Sequence, residues 1–123
     1  MNSLTKPERL HSYGAIRRLF KEGRSGFVYP FRYLYYIEDA ASPEAAILFS
    51  TPKKFHKRAN KRNLLKRRTR EAYRLNREEL CERISQAGVE VNLAFIYSTK
   101  EVHSYKTVEN AVQKILAQVC ERL

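Results

Sequence analysis

The sequence predicts an α+β fold in which helices pack on a small mixed sheet. Apolar residues recur at helical spacing in some parts of the chain, and other segments alternate at the two-residue period of a strand. Their order is helix, two strands, helix or helix pair, strand, helix, which is typical of this class. At 123 residues the chain can bury one core, so we expect a single domain over residues 1–123, with residues 1–9 as a flexible arm.

The first half of the chain is predicted to contain one helix and two strands. Ser12 can cap the helix, and Gly23 is suited to end it. Residues 27–37 alternate as a strand, which starts near Pro30 or lies at a sheet edge because proline donates no backbone hydrogen bond. Residues 45–50 form the next strand, and a hairpin is the simplest connection between the two.

The second half is predicted to be mostly helical, with one strand. A basic helix starts near Ala59, and a second short helix can begin near Arg77 and end at Gly88. Residues 89–97 alternate as a third strand. Ser104 can cap a last helix whose apolar residues keep a regular 3.6-residue spacing.

Positive charge is concentrated in residues 53–77. This stretch holds 12 of the 24 Lys and Arg residues, its only acid is Glu71, and the whole chain has a formal net charge of +11. Like charges at helical spacing repel each other, and solvated charged faces usually mix both signs. The pattern therefore favours nucleic-acid binding. We predict that the contacts are made by Lys53, Lys54, Arg58, Arg62, Asn63, Lys66, Arg67, Arg70 and Arg74.

Several other classes of function are disfavoured by the sequence. No apolar run approaches the roughly 18 residues of a membrane span, and the first residues lack the apolar centre of a signal peptide, so we expect a cytoplasmic protein without a membrane partner. A basic-zipper DNA-binding protein would need longer heptads. A stand-alone nuclease would need clustered carboxylates or a His pair, so we assign no catalytic and no metal-binding residue. Cys81 and Cys120 are expected to be apolar core residues.

Residues 53–80 resemble the protein subunit of bacterial ribonuclease P. The resemblance extends to a first helix ending in Phe20–Gly23, an aromatic strand at residues 31–36 and a late apolar strand at residues 91–97. The signature of that family is a helix with an Arg-Asn pair, then Lys-Arg and then Arg-Glu. It stands here as Arg62-Asn63, Lys66-Arg67 and Arg70-Glu71, preceded by Lys53-Lys54.

The resemblance implies a function that the composition alone does not. The family's protein works with a catalytic RNA, ribonuclease P RNA, which removes the 5′ leader from precursor tRNA with bound Mg²⁺. The implied fold is a two-layer α/β sandwich with a left-handed βαβ crossover, like the second domain of ribosomal protein S5. The signature helix is expected to face the RNA subunit, and a cleft between the first helix and the sheet is expected to take the single-stranded leader. The aromatic residues expected to line that cleft are Phe20, Phe31, Tyr33 and Tyr35.

One alternative shares the charge, size and fold class. A ribosomal protein or another RNA-binding protein without an enzymatic role would also be small, basic and α+β. The aromatic residues have an alternative too, because Phe and Tyr on a strand commonly pack in a core.

Overall fold

The computed structural model describes residue 10 and residues 12–123, so the predicted arm at residues 1–9 lies outside the described residues. The described residues form helices and strands in the order α1 (Tyr13–Glu22), β1 (Arg24–Val28), β2 (Phe31–Asp39), β3 (Glu44–Ser50), α2 (Ala59–Asn76), α3 (Glu78–Ala87), β4 (Val89–Tyr97) and α4 (Tyr105–Cys120). This is the mixed α+β organisation that the sequence predicts.

The described strands form one mixed sheet in the order β1-β2-β4-β3. β2 pairs antiparallel with both β1 and β4, whereas β3 runs parallel to β4. The chain passes from β3 to the neighbouring β4 through α2 and α3, because parallel strands need a long crossover. The left-handed sense of this crossover stays a prediction.

The predicted start of the strand near Pro30 is confirmed, because β2 begins at Phe31. Residues 27 and 28 belong to β1, and the chain turns at Tyr29 and Pro30 so that β1 and β2 pair with each other. One prediction about the strands is wrong. The predicted hairpin between β2 and β3 is absent, because β4 lies between these strands. The reason is burial: every residue of β4 from Val91 to Tyr97 is buried, and a strand that is covered on both faces belongs in the centre of a sheet.

The larger core lies between one face of the sheet and helices α2, α3 and α4. Phe31, Phe95 and Tyr97 form a cluster of edge-to-face rings with centroid separations of 5.5–5.9 Å. The helices contribute fully buried side chains to the same cluster, among them Tyr73 and Ile115. Burial of this set is the main stabilisation of the fold.

A smaller core lies on the other face, under α1. Leu19 is fully buried there against Leu34, Ala94 and Ile96 of the two central strands. The backbone N–H of Leu10 donates to the carbonyl of Ile47 over 2.9 Å, so the chain enters this face from the β3 edge. Among the described residues, one helix of 10 residues covers this face and three helices cover the other.

The helix ends follow the predicted local chemistry. The side chains of Ser12 and Ser104 accept hydrogen bonds from backbone N–H groups at the starts of α1 and α4, over 3.4 and 3.3 Å. Gly88 ends α3 with φ at 67°, a left-handed conformation that glycine adopts without strain.

Candidate nucleic-acid interface

Helix α2 separates an apolar side from a basic side. Leu65, Thr69, Ala72 and Tyr73 are buried against the core, and the Thr69 hydroxyl donates to the Leu65 carbonyl over 2.8 Å, which satisfies the polar group. The helix therefore docks on the core through one apolar side. The other positions of α2 include the Lys and Arg residues of the signature, and these positions face away from the core.

The nine predicted RNA-binding residues differ in exposure. Five of them are exposed and four are half-buried, and three of the half-buried ones have side-chain contacts within the protein that limit what they offer a ligand. The exposed residues are Lys53, Lys54, Arg58, Asn63 and Arg67, and the half-buried residues are Arg62, Lys66, Arg70 and Arg74.

Arg62 holds the loop that precedes α2. Its Nη1 donates to the carbonyls of His56 and Lys57 over 3.0 and 2.7 Å. His56 is 7% exposed, and its Nε2 lies 2.8 Å from the carbonyl oxygen of Thr99. Arg62 therefore fixes the start of the basic helix in addition to carrying charge.

Arg70 and Arg74 also have partners within the protein. The Arg70 guanidinium lies over the Phe49 ring, 5.7 Å from its centroid, which is a cation–π geometry. Arg74 Nε donates to Glu71 Oε2 over 3.0 Å, and this hydrogen bond lowers the pKa of the Glu71 carboxyl. Arg68, which the sequence analysis did not select, donates to the His103 carbonyl and ties α2 to the loop before α4.

The four aromatic residues predicted to form a leader cleft are not brought together. Phe31, Tyr33 and Tyr35 are 1%, 6% and 7% exposed and belong to the larger core. Phe20 lies on α1, which covers the opposite face of the sheet, and is 49% exposed. The prediction that Phe20 reaches the face of Tyr33 and Tyr35 is therefore wrong. The alternation of β2 places its odd-numbered residues under the three large helices instead.

The rings of Tyr33 and Tyr35 are fitted to this core. They stack at 6.2 Å between centroids, and the Tyr33 hydroxyl donates to Gln118 of α4. Gly26 on β1 lies opposite Tyr33, and a Cβ at that glycine would come within 2.5 Å of the tyrosine ring. Burial of the Tyr33 ring raises its pKa, and these contacts leave no free ring face for a nucleobase.

Helix geometry gives the directions in which the side chains next to Leu19 on α1 point. Successive residues of an α-helix are turned by about 100°, so the residues flanking a buried Leu19 point to opposite sides. Arg18 points to one side, where its Nη2 lies 2.9 Å from Glu38 Oε1. Phe20 points to the other side, toward the end of β2 that carries Arg32.

That end of the sheet carries a row of side chains beside α1, of which Phe27 and Arg32 are exposed and Ile96 is buried. Phe27, Arg32 and Ile96 are direct cross-strand partners, so they share one face. Ser50 of β3 pairs with Ile96 and leads into Lys53 and Lys54 of the following loop. Phe27 is 59% exposed, and Arg32 is exposed as well. The surface between this row and the Phe20 side of α1 is called here the α1 groove.

The opposite end of the same face is acidic. Glu38, Glu90 and Glu44 form one cross-strand row, about 20 Å from Arg32 along the strand direction. Burial and then the charges of Glu38 and Glu44 raise the pKa of the Glu90 carboxyl, while Arg18 opposes that shift. The face under α1 thus changes from basic to acidic along the strands.

The described residues contain no group of three or more His, Cys, Asp or Glu that could hold a metal ion. Of the two cysteines, Cys120 is buried as predicted, whereas Cys81 is exposed. None of the helices in the described part of the chain is long and apolar enough to cross a membrane.

Comparison with known proteins supports an RNA-processing family. Residues 4–120 match the family model described as Ribonuclease P. The ribonuclease P protein component of Porphyromonas gingivalis (strain ATCC 33277) is 37% identical over 117 residues, which cover 94% of this chain and 85% of that protein. The corresponding protein of Chlorobium phaeobacteroides is 30% identical and covers 97% of this chain and 89% of its own length.

Solved structures share the fold. The ribonuclease P protein of Thermotoga maritima aligns with a TM-score of 0.66 at 24% identity, over 90% of this chain and 96% of that one. A Staphylococcus aureus ribonuclease P protein aligns with a TM-score of 0.62 at 16% identity, over 91% and 94% of the two chains. At these identities the structures are similar in fold, and the sequence matches carry the assignment. The chain belongs to the ribonuclease P protein family.

Proposed function

We propose that this ribonuclease P protein component binds the RNA subunit through the basic side of α2 and the 5′ leader of precursor tRNA in the α1 groove. The observation that carries the proposal is the set of exposed Lys and Arg residues between Lys53 and Arg67, on the loop before α2 and on the side of α2 that faces away from the core. Cleavage of one phosphodiester, at the junction of leader and mature tRNA, is the reaction that this assembly supports.

The α2 surface is suited to a folded RNA. Arg67 and Lys66 lie on a rigid helix, where their charges can follow a row of phosphates, and arginine forms bidentate hydrogen bonds with phosphate oxygens. The major groove of an A-form helix is too deep and narrow for side chains to read. Contacts at α2 are therefore directed to the RNA backbone and its shape.

The α1 groove is suited to a single strand. Phe20 presents a half-exposed ring, and an unpaired base can stack on such a ring whereas a paired base cannot. Arg32 supplies a positive charge on the adjoining sheet face for the phosphates of the same strand. The two residues recognise a leader without requiring a particular base sequence.

Magnesium ions held by the RNA subunit would supply the activated water and the charge stabilisation at the cleaved phosphate. The described residues of this chain offer no comparable ligand cluster. The contribution of the chain is instead electrostatic. Its net charge of +11 lowers the repulsion between two polyanions, the RNA subunit and the substrate, so the complex requires less free Mg²⁺.

Reconstitution tests the function. The protein, a bacterial ribonuclease P RNA and a precursor tRNA are mixed at low Mg²⁺, with each component omitted in turn. We expect leader removal only when both protein and RNA are present. Leader removal by RNase-treated protein alone, or no acceleration by the protein at any Mg²⁺ concentration, contradicts the proposal.

The α2 assignment is tested by the salt dependence of RNA binding. In the double variant Lys66→Ala and Arg67→Ala, the slope of log affinity against log salt should fall by roughly 0.7 to 0.9 for each phosphate that the protein no longer neutralises. Arg74→Ala is the matched control, because its charge is already paired with Glu71 and its removal should change the slope less. Arg62 is avoided because it also holds the loop before α2. An unchanged slope in the double variant would place the RNA elsewhere.

A further inference from the structure

Two exposed aromatic rings lie at the turn between β1 and β2. Phe27 is 59% exposed and Tyr29 is 49% exposed, and their centroids are 6.5 Å apart with 52° between the ring planes. Exposed rings of this size cost free energy in water. They contribute nothing to the larger core, which is already filled by the odd-numbered residues of β2.

Tyr29 is held in place from the side of its hydroxyl. That hydroxyl lies 3.0 Å from His103 Nε2 and 3.3 Å from Thr99 Oγ1. The His103 ring packs against the Tyr29 ring edge-to-face at 5.2 Å, and the N–H of Ser98 donates to the carbonyl of Pro30 over 2.9 Å. The turn is thereby fastened to the loop after β4, so a ligand would meet a ring that is already ordered.

The pair continues the α1 groove. Phe27 is the cross-strand partner of Arg32, and the row that contains both extends across the sheet over about 14 Å to Ser50. Lys100 is exposed in the loop to which Tyr29 is fastened. An anionic strand that lies along this row meets positive charge beside aromatic surface.

We propose that Phe27 and Tyr29 form an additional subsite for one unpaired nucleobase, occupied by a nucleotide of the precursor leader after it leaves the α1 groove. The inference rests on the proposed function. The base stacks on the exposed face of Phe27 against Tyr29, and Arg32 and Lys100 are the cations for its phosphates. Stacking on a ring is tolerant of sequence because every base has a π-face.

Charge selects RNA over an apolar protein segment as the occupant. Arg32 and Lys100 flank the rings, and the nearest described acid in the loop, Glu101, lies with its carboxylate 3.6 Å from His103 Nε2. A hydrophobic protein partner would leave the two cations without counter-charges, whereas a phosphate backbone supplies them.

The test uses the reconstituted complex with saturating RNA subunit. Affinity is measured for mature tRNA and for precursors whose leaders lengthen by one nucleotide at a time. In the unmodified complex we expect a gain in affinity when the leader becomes long enough to reach Phe27. In Phe27→Ala that gain should fall by roughly 5- to 150-fold, while binding of mature tRNA and of shorter leaders should be unchanged.

Conservative variants separate stacking from apolar contact. Phe27→Tyr keeps the ring and should retain the gain, whereas Phe27→Leu keeps apolar surface without a π-system and should lose most of it. Val102→Ala is the matched control. Val102 is an exposed apolar residue without a ring, and it lies in the loop to which Tyr29 is fastened. As a second readout, 2-aminopurine placed at the subsite nucleotide should be quenched on binding in the unmodified complex and not in Phe27→Ala.

The outcomes distinguish this subsite from the proposed function. If affinity still rises with leader length and Phe27→Ala follows the unmodified complex at every length, the subsite is refuted and the leader groove stands. Equal losses for mature tRNA and all precursors also refute the subsite. If the unmodified complex gains nothing from any leader, the proposed leader groove fails and the subsite fails with it.

Discussion

The two faces of β2 differ in burial and in charge. Phe31, Tyr33 and Tyr35 point into the larger core, where they are at most 7% exposed. Arg32 and Glu38 lie on the other face, which a single helix covers in part. One strand thus carries core aromatics on one side and charged surface on the other, separated only by the two-residue alternation of its backbone. Aromatic content alone therefore does not identify a binding surface.

The face under α1 is itself divided. Arg32 marks a basic end and the row of Glu38, Glu90 and Glu44 marks an acidic end, with α1 lying between them. Arg18 connects α1 to the acidic end through its ion pair with Glu38. A polyanion is attracted to one end and repelled by the other, so in the proposed leader complex this charge gradient would favour the basic side of α1.

The largest expected effect is the difference in stability between a substitution on the buried face of β2 and one on its exposed face. Phe31→Ala removes a ring that packs edge-to-face on Phe95 and Tyr97, so the free energy of unfolding should fall by about 3–5 kcal/mol. Arg32→Ala, one residue along the strand, should change it by less than about 0.5 kcal/mol. Urea denaturation of both variants measures the difference. A stable Phe31→Ala protein would contradict the assignment of this face to the core.

The second effect concerns ligand affinity without a change in stability. Arg32→Glu should weaken binding of precursor tRNA by roughly 10- to 100-fold, since a hydrogen bond between charged groups contributes about 1.5–3 kcal/mol. Binding of mature tRNA should change much less, because it has no leader. The matched control is Asp39→Lys, which reverses a charge at an exposed position of the same strand near its acidic end. Equal losses for both tRNAs in Arg32→Glu would show that this residue does not contact the leader.

Local chemistry and long-range pairing differ in how far the sequence predicts them. Ser12, Gly88 and Ser104 act within one helical turn, and each marks the helix end expected of it. The insertion of β4 between β2 and β3 depends on burial across the whole sheet, and no local pattern specifies it. The hairpin prediction failed for that reason.

The same distinction applies to the candidate interface. Positive charge on α2 follows from helical periodicity, and the sequence predicts it correctly. The loop contacts of Arg62 and the core position of His56 depend on segments that only the folded chain brings together. The aromatic residues predicted to line the cleft lie on the buried face of β2, although alternation already separates Arg32 from Tyr33. What was lacking was knowledge of which face the three large helices cover.

The smallest effect tests the acidic end through its pH dependence. Burial, and then the charges of Glu38 and Glu44, raise the pKa of Glu90 in the folded protein above the value of about 4.3 for an unperturbed Glu. At pH values between the unfolded and the folded pKa of Glu90, the folded state therefore binds more protons than the unfolded state. The stability that Glu90 contributes is fully present below the unfolded pKa, and it is lost as the pH rises through the folded pKa.

Glu90→Gln removes this titration while keeping the size of the side chain. At neutral pH the variant should resist urea better than the unmodified protein, because it removes one of three neighbouring negative charges and leaves the pair of Arg18 with Glu38 intact. The difference should shrink on acidification through the raised pKa of Glu90, since protonation then neutralises the same carboxyl in the unmodified protein.

Glu22→Gln, at an exposed position at the end of α1, is the control and should show no such convergence. Urea midpoints of the unmodified protein and of both variants, measured at several pH values, test this prediction. A Glu90→Gln variant that is less stable at neutral pH, or a difference that does not change with pH, would show that the acidic row carries no repulsion and that the charge gradient across the face ends before Glu90.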